Sequence, residues 1–237
     1  GDSLFAGCSA LKTLTMPFVG SCRGNADSWD AVFAYMFADA EFEGGVRVQQ
    51  FYGGAYYNYR TAYFPTNLTT VVLTDESRLG RGVFSGCAYL TNVTLNAGME
   101  SVGMYAFSGC SQLPSITMPD GLTGLGSYAF NGCTKITSVT LSEFVVEIGD
   151  SAFAGCFQLT SILIPEGVTN IGHAAFQSCL ALPSISLPSS VLAIGDAIFG
   201  GCDSLMQIDV AEGNVDYKSV DGILCNAAGT CLLAWPE

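Results

Sequence analysis

The sequence predicts an α/β solenoid, a stack of short coils that each contribute one short parallel strand, and three regularities predict it. Six cysteines, Cys87, Cys110, Cys133, Cys156, Cys179 and Cys202, recur every 23 residues. A phenylalanine stands three positions before each of them, from Phe84 to Phe199. The other apolar residues of a unit recur as well, as in Leu159, Ile162, Ile164, Val168, Ile171 and Ala175, with Gly172 directly after Ile171. One apolar set per fixed period means that each coil buries its hydrophobic face only against its neighbours.

The elements follow in order along a single domain, residues 1–237. Residues 1–17 read as a partial first repeat, because Gly1-Asp2-Ser3-Leu4-Phe5-Ala6-Gly7-Cys8 matches Gly149 to Cys156 in the middle of a unit. A chain that opens inside a coil, where a polar cap is expected, suggests a fragment of a longer parent. Residues 18–67 break the period as an insertion. There Trp29, Val32, Phe33, Met36 and Phe37 recur at helical spacing behind an N-cap, which predicts a short amphipathic helix from about Ser28 to Ala38. Residues 68–210 carry the regular repeats, beginning with a strand over 68–73 and a one-residue contraction. In Leu-Pro-Ser-Ile-Thr-Met-Pro, residues 113–119, Ile116 and Met118 alternate with Ser115 and Thr117 and are closed by a proline, the pattern of a short half-buried strand. The equivalent pairs are Val93/Leu95, Val139/Leu141, Ile162/Ile164, Ile185/Leu187 and Ile208/Val210, expected to stack in parallel about 4.8 Å apart. The opposite side is too short for more than an extended piece and one helical turn, and Gly103, Gly126, Gly149, Gly172 and Gly195 are expected to supply positive φ at its bend. Residues 211–237 form a C-terminal cap: two short strands around 217–224 and 229–233 predict a hairpin over the open edge of the last coil.

The composition bounds the function. Of 237 residues 49% are apolar and 12% charged, which excludes disorder for most of the chain. A formal charge of −13 repels a nucleic-acid backbone or an anionic membrane surface. No run of 18 apolar residues and no charged-then-apolar leader occurs, so the sequence predicts a soluble chain without membrane insertion.

The unit Ile148-Gly149-Asp150-Ser151-Ala152-Phe153-Ala154-Gly155-Cys156, continuing through Leu159, Ile162, Ile164 and Val168, resembles the BspA-like leucine-rich repeat of bacterial surface proteins. The resemblance covers residues 79–210 in register, with 1–17 as a partial unit, and extends to the family's ending in 217–224 and 229–233. It implies a right-handed leucine-rich repeat solenoid, an extracellular or cell-surface location, and an interaction or adhesion role with a host or bacterial surface protein. An insertion like 18–67 is similar to one found in several members.

Catalytic chemistry has little to stand on. Ser-His-Asp and Cys-His mechanisms need a histidine, and the one present, His173, falls at a surface slot filled elsewhere by Met104, Ser127, Asp150 and Asp196. Zinc needs clustered ligands, whereas the cysteines come one per coil beside a core phenylalanine. Seven of them, Cys8 and Cys87 to Cys202, are expected buried and reduced, since coil spacing exceeds the Cβ separation of a disulfide. Among 21 acids no glycosidase-like pair is singled out, and the glycines follow the repeat rather than a nucleotide fingerprint. Asp203, Asp209, Glu212, Asp216 and Asp221 gather near the end without the spacing of a calcium loop. The reading is non-catalytic, with no cofactor and no metal site.

Two places invite a ligand. The tyrosine-rich stretch 50–64 offers Tyr52, Tyr56, Tyr57, Tyr59 and Arg60, because tyrosine presents large amphipathic contact area at low entropic cost; the same rings could instead pack the insertion onto the solenoid. The outward strand positions Ser115/Thr117, Ser138/Thr140 and Ser184/Ser186, with Leu163 and Asp209 as exceptions, form a small, hydroxylated face. A protein ligand suits an interaction module, and a glycan suits a binding module of a polysaccharide-utilising system; a β-helical polysaccharide hydrolase or lyase is a third reading. Cys225 and Cys231 are a candidate disulfide across the terminal hairpin, which would fit an oxidising location.

Overall fold

The computed structural model describes residues 3–19, 33–51 and 58–230. It is a parallel β-solenoid of about six regular coils, each stepping 23 residues, as in the pairing of Ser115 with Ser138 and Ser138 with Ser161. The expected first face is present as the stacked strands Thr13–Met16, Thr70–Leu73, Asn92–Thr94, Ser115–Thr117, Ser138–Thr140, Ser161–Ile162, Ser184–Leu187 and Gln207–Val210. Val93, Ile116, Val139, Ile185 and Ile208 point inward from it and are buried. The contraction is there too: Thr70 pairs with Asn92, 22 residues on.

The opposite side corrects the expectation of one strand per coil. A second, six-stranded parallel sheet runs through Arg78–Leu79, Ser101–Val102, Gly124–Leu125, Glu147–Ile148, Asn170–Ile171 and Ala193–Ile194. Each strand has two residues, too short for alternation to register in a sequence. The α/β class is also corrected. Among the described residues the one helical segment is a 3-10 turn, Phe33–Met36; the expected helix from Ser28 to Ala38 lies outside them up to residue 32 and is this turn beyond it. The bends of the coils cannot become α-helix because their amides are shared between partners. Ala106 N donates to Gly103 O and Cys110 N to Phe107 O within the coil, while Tyr105 N and Phe107 N donate to Ser127 O and Ala129 O of the next coil.

Left-handed backbone falls at two places per bend, neither of them the predicted one. Tyr105, Tyr128, Ser151, Ala174 and Ala197 have φ of 50–60°, and Gly86, Gly109, Gly132, Gly155 and Gly201, before each cysteine, have φ of 71–76°. Gly103, Gly126, Gly149, Gly172 and Gly195 have no positive φ; they are glycine because coils touch there. A Cβ on Gly126 would lie 2.5 Å from Met104 N and 2.7 Å from Gly103 C.

The core is a column of like side chains. Phe84, Phe107, Phe130, Phe153, Phe176 and Phe199 stack with centroids 5.1–5.9 Å apart and nearly parallel planes. Beside them each thiol donates to the phenylalanine carbonyl of the preceding coil, Cys110 to Phe84 O and Cys133 to Phe107 O at 3.2 Å and so on to Cys202 with Phe176 O. Burial pushes the thiols of Cys87, Cys110 and Cys156 well up from the ordinary range, and that of Cys133 up to about 12. Cys8 is the exception to the expected burial: it is exposed.

The insertion extends this core. Phe33 lies 5.0 Å from Phe84, and Phe37 links Phe33 at 5.1 Å to Phe5 at 5.8 Å, so the aromatic column crosses the break in the repeat. On the first face Thr13 pairs directly with Thr70, closing the gap from the other side. At the C-terminal end Tyr217–Val220 pairs antiparallel with Ile223–Asn226 about a turn whose residues Asp221 and Gly222 have φ of 53° and 80°, the two-residue hairpin geometry. The return strand here is Ile223–Asn226, whereas of the expected strand over 229–233 residues 231–233 lie outside the described residues. Gly222 O accepts from Ile208 N, and Ser219 Oγ donates to Ile208 O, seating the hairpin on the last coil.

Candidate functional site

Within the insertion, Gly45–Phe51 and Tyr59–Pro65 form an antiparallel hairpin rather than a loop. Alternation decides its faces: Val48, Gln50, Ala62 and Phe64 are buried against the solenoid, while Arg47 and Tyr63, opposite one another, face outward. Tyr52, Tyr56 and Tyr57 lie outside the described residues. Tyr59, paired with Phe51, is 51% exposed. Arg60 is half-buried, its Nε donates to Ala34 O at 3.4 Å, and its guanidinium stands 5.7 Å from the Tyr35 ring, so it fastens the 3-10 turn to the hairpin. The structure therefore separates the adjacent candidates Tyr59 and Arg60 onto opposite faces.

Two buried polar residues that sequence reading missed hold the insertion in place. Gln50 Oε1 accepts from Ala34 N at 2.6 Å, and its Nε2 donates to Ser85 O and Cys87 Sγ, each at 3.3 Å. Glu76 accepts from Val19 N at 3.1 Å and Ser77 N at 3.0 Å. Glu76 occupies the repeat slot filled by Met99, Leu122, Val145, Val168 and Val191, and at the other end Asn214 occupies it too. Asn214 Nδ2 donates to Pro188 O and Val191 O, and its Oδ1 accepts from Asp216 N and Tyr217 N. A polar residue in an otherwise apolar slot was the available signal, and it marks both ends of the regular stack.

The outward side of the first sheet is the other candidate. Ser115, Thr117, Ser138, Thr140, Ser184 and Ser186 are exposed, and their hydroxyls make no hydrogen bond among the described residues. Neighbouring Thr91, Thr137 and Thr160 instead donate to carbonyls of the preceding coil at 3.2–3.3 Å. Three open depressions of about 530, 470 and 270 Å³ follow one another along this face. Leu163, 78% exposed, separates and lines the last two, and no basic residue lines any of the three. The arrangement can offer hydroxyls, one apolar knob and rim carboxylates to a ligand.

The remaining candidates do not assemble into a centre. His173 is exposed, with its amide donating to Asp150 Oδ1 at 2.8 Å. Among the described residues no group of three or more His, Cys, Asp or Glu side chains could hold a metal ion. Cys225 is buried opposite Lys218; Cys231 lies outside the described residues. No helix among them is long and apolar enough to cross a membrane.

A parallel solenoid with one buried phenylalanine and one buried thiol per turn defines a repeat protein. The profile of the BspA type leucine rich repeat region matches six copies over residues 77–206, and the chain belongs to that family. Comparison with curated proteins returns no match. Among solved structures it is similar to the pneumococcal vaccine antigen PcpA, at 22% identity over 97% of this chain and 47% of that one, with a TM-score of 0.52. A leucine rich cell surface protein from Faecalibacterium prausnitzii matches at 24% identity over 87% of this chain and 62% of that one, with a TM-score of 0.51. The leucine rich repeat protein of T. pallidum is 34% identical over 46% of this chain and 51% of that one, with a TM-score of 0.46. The match spans 44–62% of the length of four such structures.

Proposed function

We propose that the chain is a non-catalytic protein-interaction module of a secreted or surface-attached bacterial protein, with an adhesive role toward a host or bacterial surface protein. The observation that carries this reading is the first-sheet face, where exposed hydroxyls stay unengaged along three consecutive depressions while the interior is filled by ring and thiol columns. The similar Faecalibacterium prausnitzii protein is a cell surface protein, which supports the location. The test is binding of the chain to a panel of extracellular-matrix and bacterial surface proteins, with Thr140→Arg placed in the middle of the face. Loss of binding at unchanged melting temperature supports the reading; retained binding removes the face.

A second reading is glycan binding by the tyrosine-rich stretch, with Tyr59 and Arg60 as its described candidates and Tyr52, Tyr56 and Tyr57, outside the described residues, as the others. What favours it is the 51% exposure of Tyr59, on the same strand as the outward Tyr63, which pairs with Arg47. Tyr59→Ser should abolish binding on a glycan array if this surface is used, and leave it unchanged otherwise.

A further inference from the structure

Charge is divided unequally along the solenoid. Beyond residue 81 lie thirteen of the 21 acidic residues but two of the eight basic ones, Lys135 and Lys218. Both are engaged away from the open face: Lys135 Nζ donates to Gln112 Oε1 at 2.7 Å, and Lys218 Nζ to Ala227 O at 3.1 Å. The acids are also ordered by the repeat. Asp120, Glu143, Glu166 and Glu212 occupy one slot, immediately past the first-sheet strands, with Ser189 in the coil between the last two. Across one coil step of this slot Ser189 Oγ donates to Glu166 Oε2 at 3.0 Å. The result is a carboxylate ridge along the rim of the open face, exposed throughout and without an ion-pair partner among the described residues.

The ridge borders an apolar step. The 270 Å³ depression is lined by Leu163, Pro188, Val210 and Ala211 together with Glu166 and Asp209. A large aliphatic side chain left 78% exposed beside unneutralised carboxylates suits a partner that brings both an apolar contact and positive charge. Resting on the reading of this face as a protein-interaction surface, we propose that it docks an extended cationic polypeptide segment, whose lysine or arginine side chains pair with Glu143, Glu166, Glu212 and Asp209 while an apolar side chain packs on Leu163. The spacing supports an extended occupant lying along the stack. Glu166 and Glu212 are two coils apart, about 9.6 Å at the strand spacing, and three residues of polyproline-type chain cover about 9.3 Å with the same side facing inward. Basic residues three apart therefore meet the two carboxylates in step.

The test uses the whole chain and three fluorescein-labelled synthetic peptides of equal length: lysine every third residue with leucine and proline between, its glutamate counterpart, and the lysine sequence with its charges gathered at one end. Fluorescence anisotropy at low and moderate salt should show binding of the periodic cationic peptide, weakened about tenfold by the added salt. Leu163→Ser should weaken it about tenfold, and Glu143→Gln with Glu166→Gln and Glu212→Gln should abolish it together with its salt dependence, all at unchanged melting temperature. Equal binding of the glutamate peptide overturns the proposal. So does cationic binding that ignores Leu163→Ser and peptide periodicity, which is mere attraction to an acidic surface, and so does a sedimentation result showing that the face is covered by a second copy of the chain. A protein partner from the panel that is lost with Thr140→Arg yet insensitive to salt and to the glutamine substitutions would sink the cationic segment and leave the interaction reading standing.

Discussion

Gly126 and Gly132 belong to the same coil, and alanine at each tests two different reasons for glycine. At Gly126 an added Cβ would lie 2.5 Å from Met104 N and 2.7 Å from Gly103 C, backbone atoms of the preceding coil. Relief needs the two coils to part by roughly 1 Å to restore ordinary van der Waals contact. That motion stretches Gly126 N to Val102 O, now 2.9 Å, past hydrogen-bonding range. Overpacking costs about 1–3 kcal/mol and an orphaned buried amide about 1–3 kcal/mol more, so Gly126→Ala should lose about 2–6 kcal/mol. At Gly132 φ is +71° and the nearest atom to an added Cβ is 3.9 Å away, leaving only left-handed strain of about 1–2 kcal/mol. Ser178, which takes the same slot at φ of 58°, shows that a side chain fits there. Urea denaturation followed by circular dichroism measures both. Equal losses, or a greater loss at Gly132, would refute the close-contact explanation.

The thiol column makes the fold alkali-sensitive. Cys133 has its pKa raised from 9.0 to about 12, so the unfolded chain releases this proton first; its stabilisation is full below pH 9 and is lost between pH 9 and about 12, at about 1.4 kcal/mol per pH unit. Urea midpoints at pH 8 and pH 10 should fall accordingly, and less in Cys133→Ala. In native protein a thiol reagent should label Cys8 at once and spare Cys87, Cys110, Cys133 and Cys156 until denaturant is added; prompt labelling of those four contradicts the buried ladder. Gln50→Ala leaves Ala34 N and Ser85 O without their partner and should cost about 2–4 kcal/mol, seen as faster amide exchange over 33–37 than over the regular coils. Asn214→Leu should free the terminal hairpin, read as proteolysis near residue 217 while residues 84–199 stay protected.

The period, the first-face strands and the ring and thiol columns were legible because each repeats many times, so that one coil explains the next. What escaped was what occurs once or briefly. Two-residue strands such as Glu147–Ile148 carry no alternation to read, and Gly126 and Gly132 look alike in a sequence although one meets backbone and the other bends it. The insertion hid its logic because Phe33 and Phe37 rejoin the phenylalanine column from outside the repeat register. Its seven-residue strands do alternate, in Val46, Val48 and Gln50 against Ala62 and Phe64, but the density of tyrosines drew attention to a loop. Of the candidate site, Tyr59 stands exposed while Arg60 turns inward. The rim of carboxylates was visible only once Asp120, Glu143, Glu166 and Glu212 were read down one slot rather than along the chain.

The central claim is that partners engage the open sheet face. Hydrogen–deuterium exchange of the chain with and without a protein captured from the surface-protein panel tests it most directly. Protection should concentrate in the first-face strands and rim, residues 138–142, 161–166 and 184–189, with the hairpin 45–65 unchanged. Protection confined to the hairpin, with those strands unaffected, would contradict it.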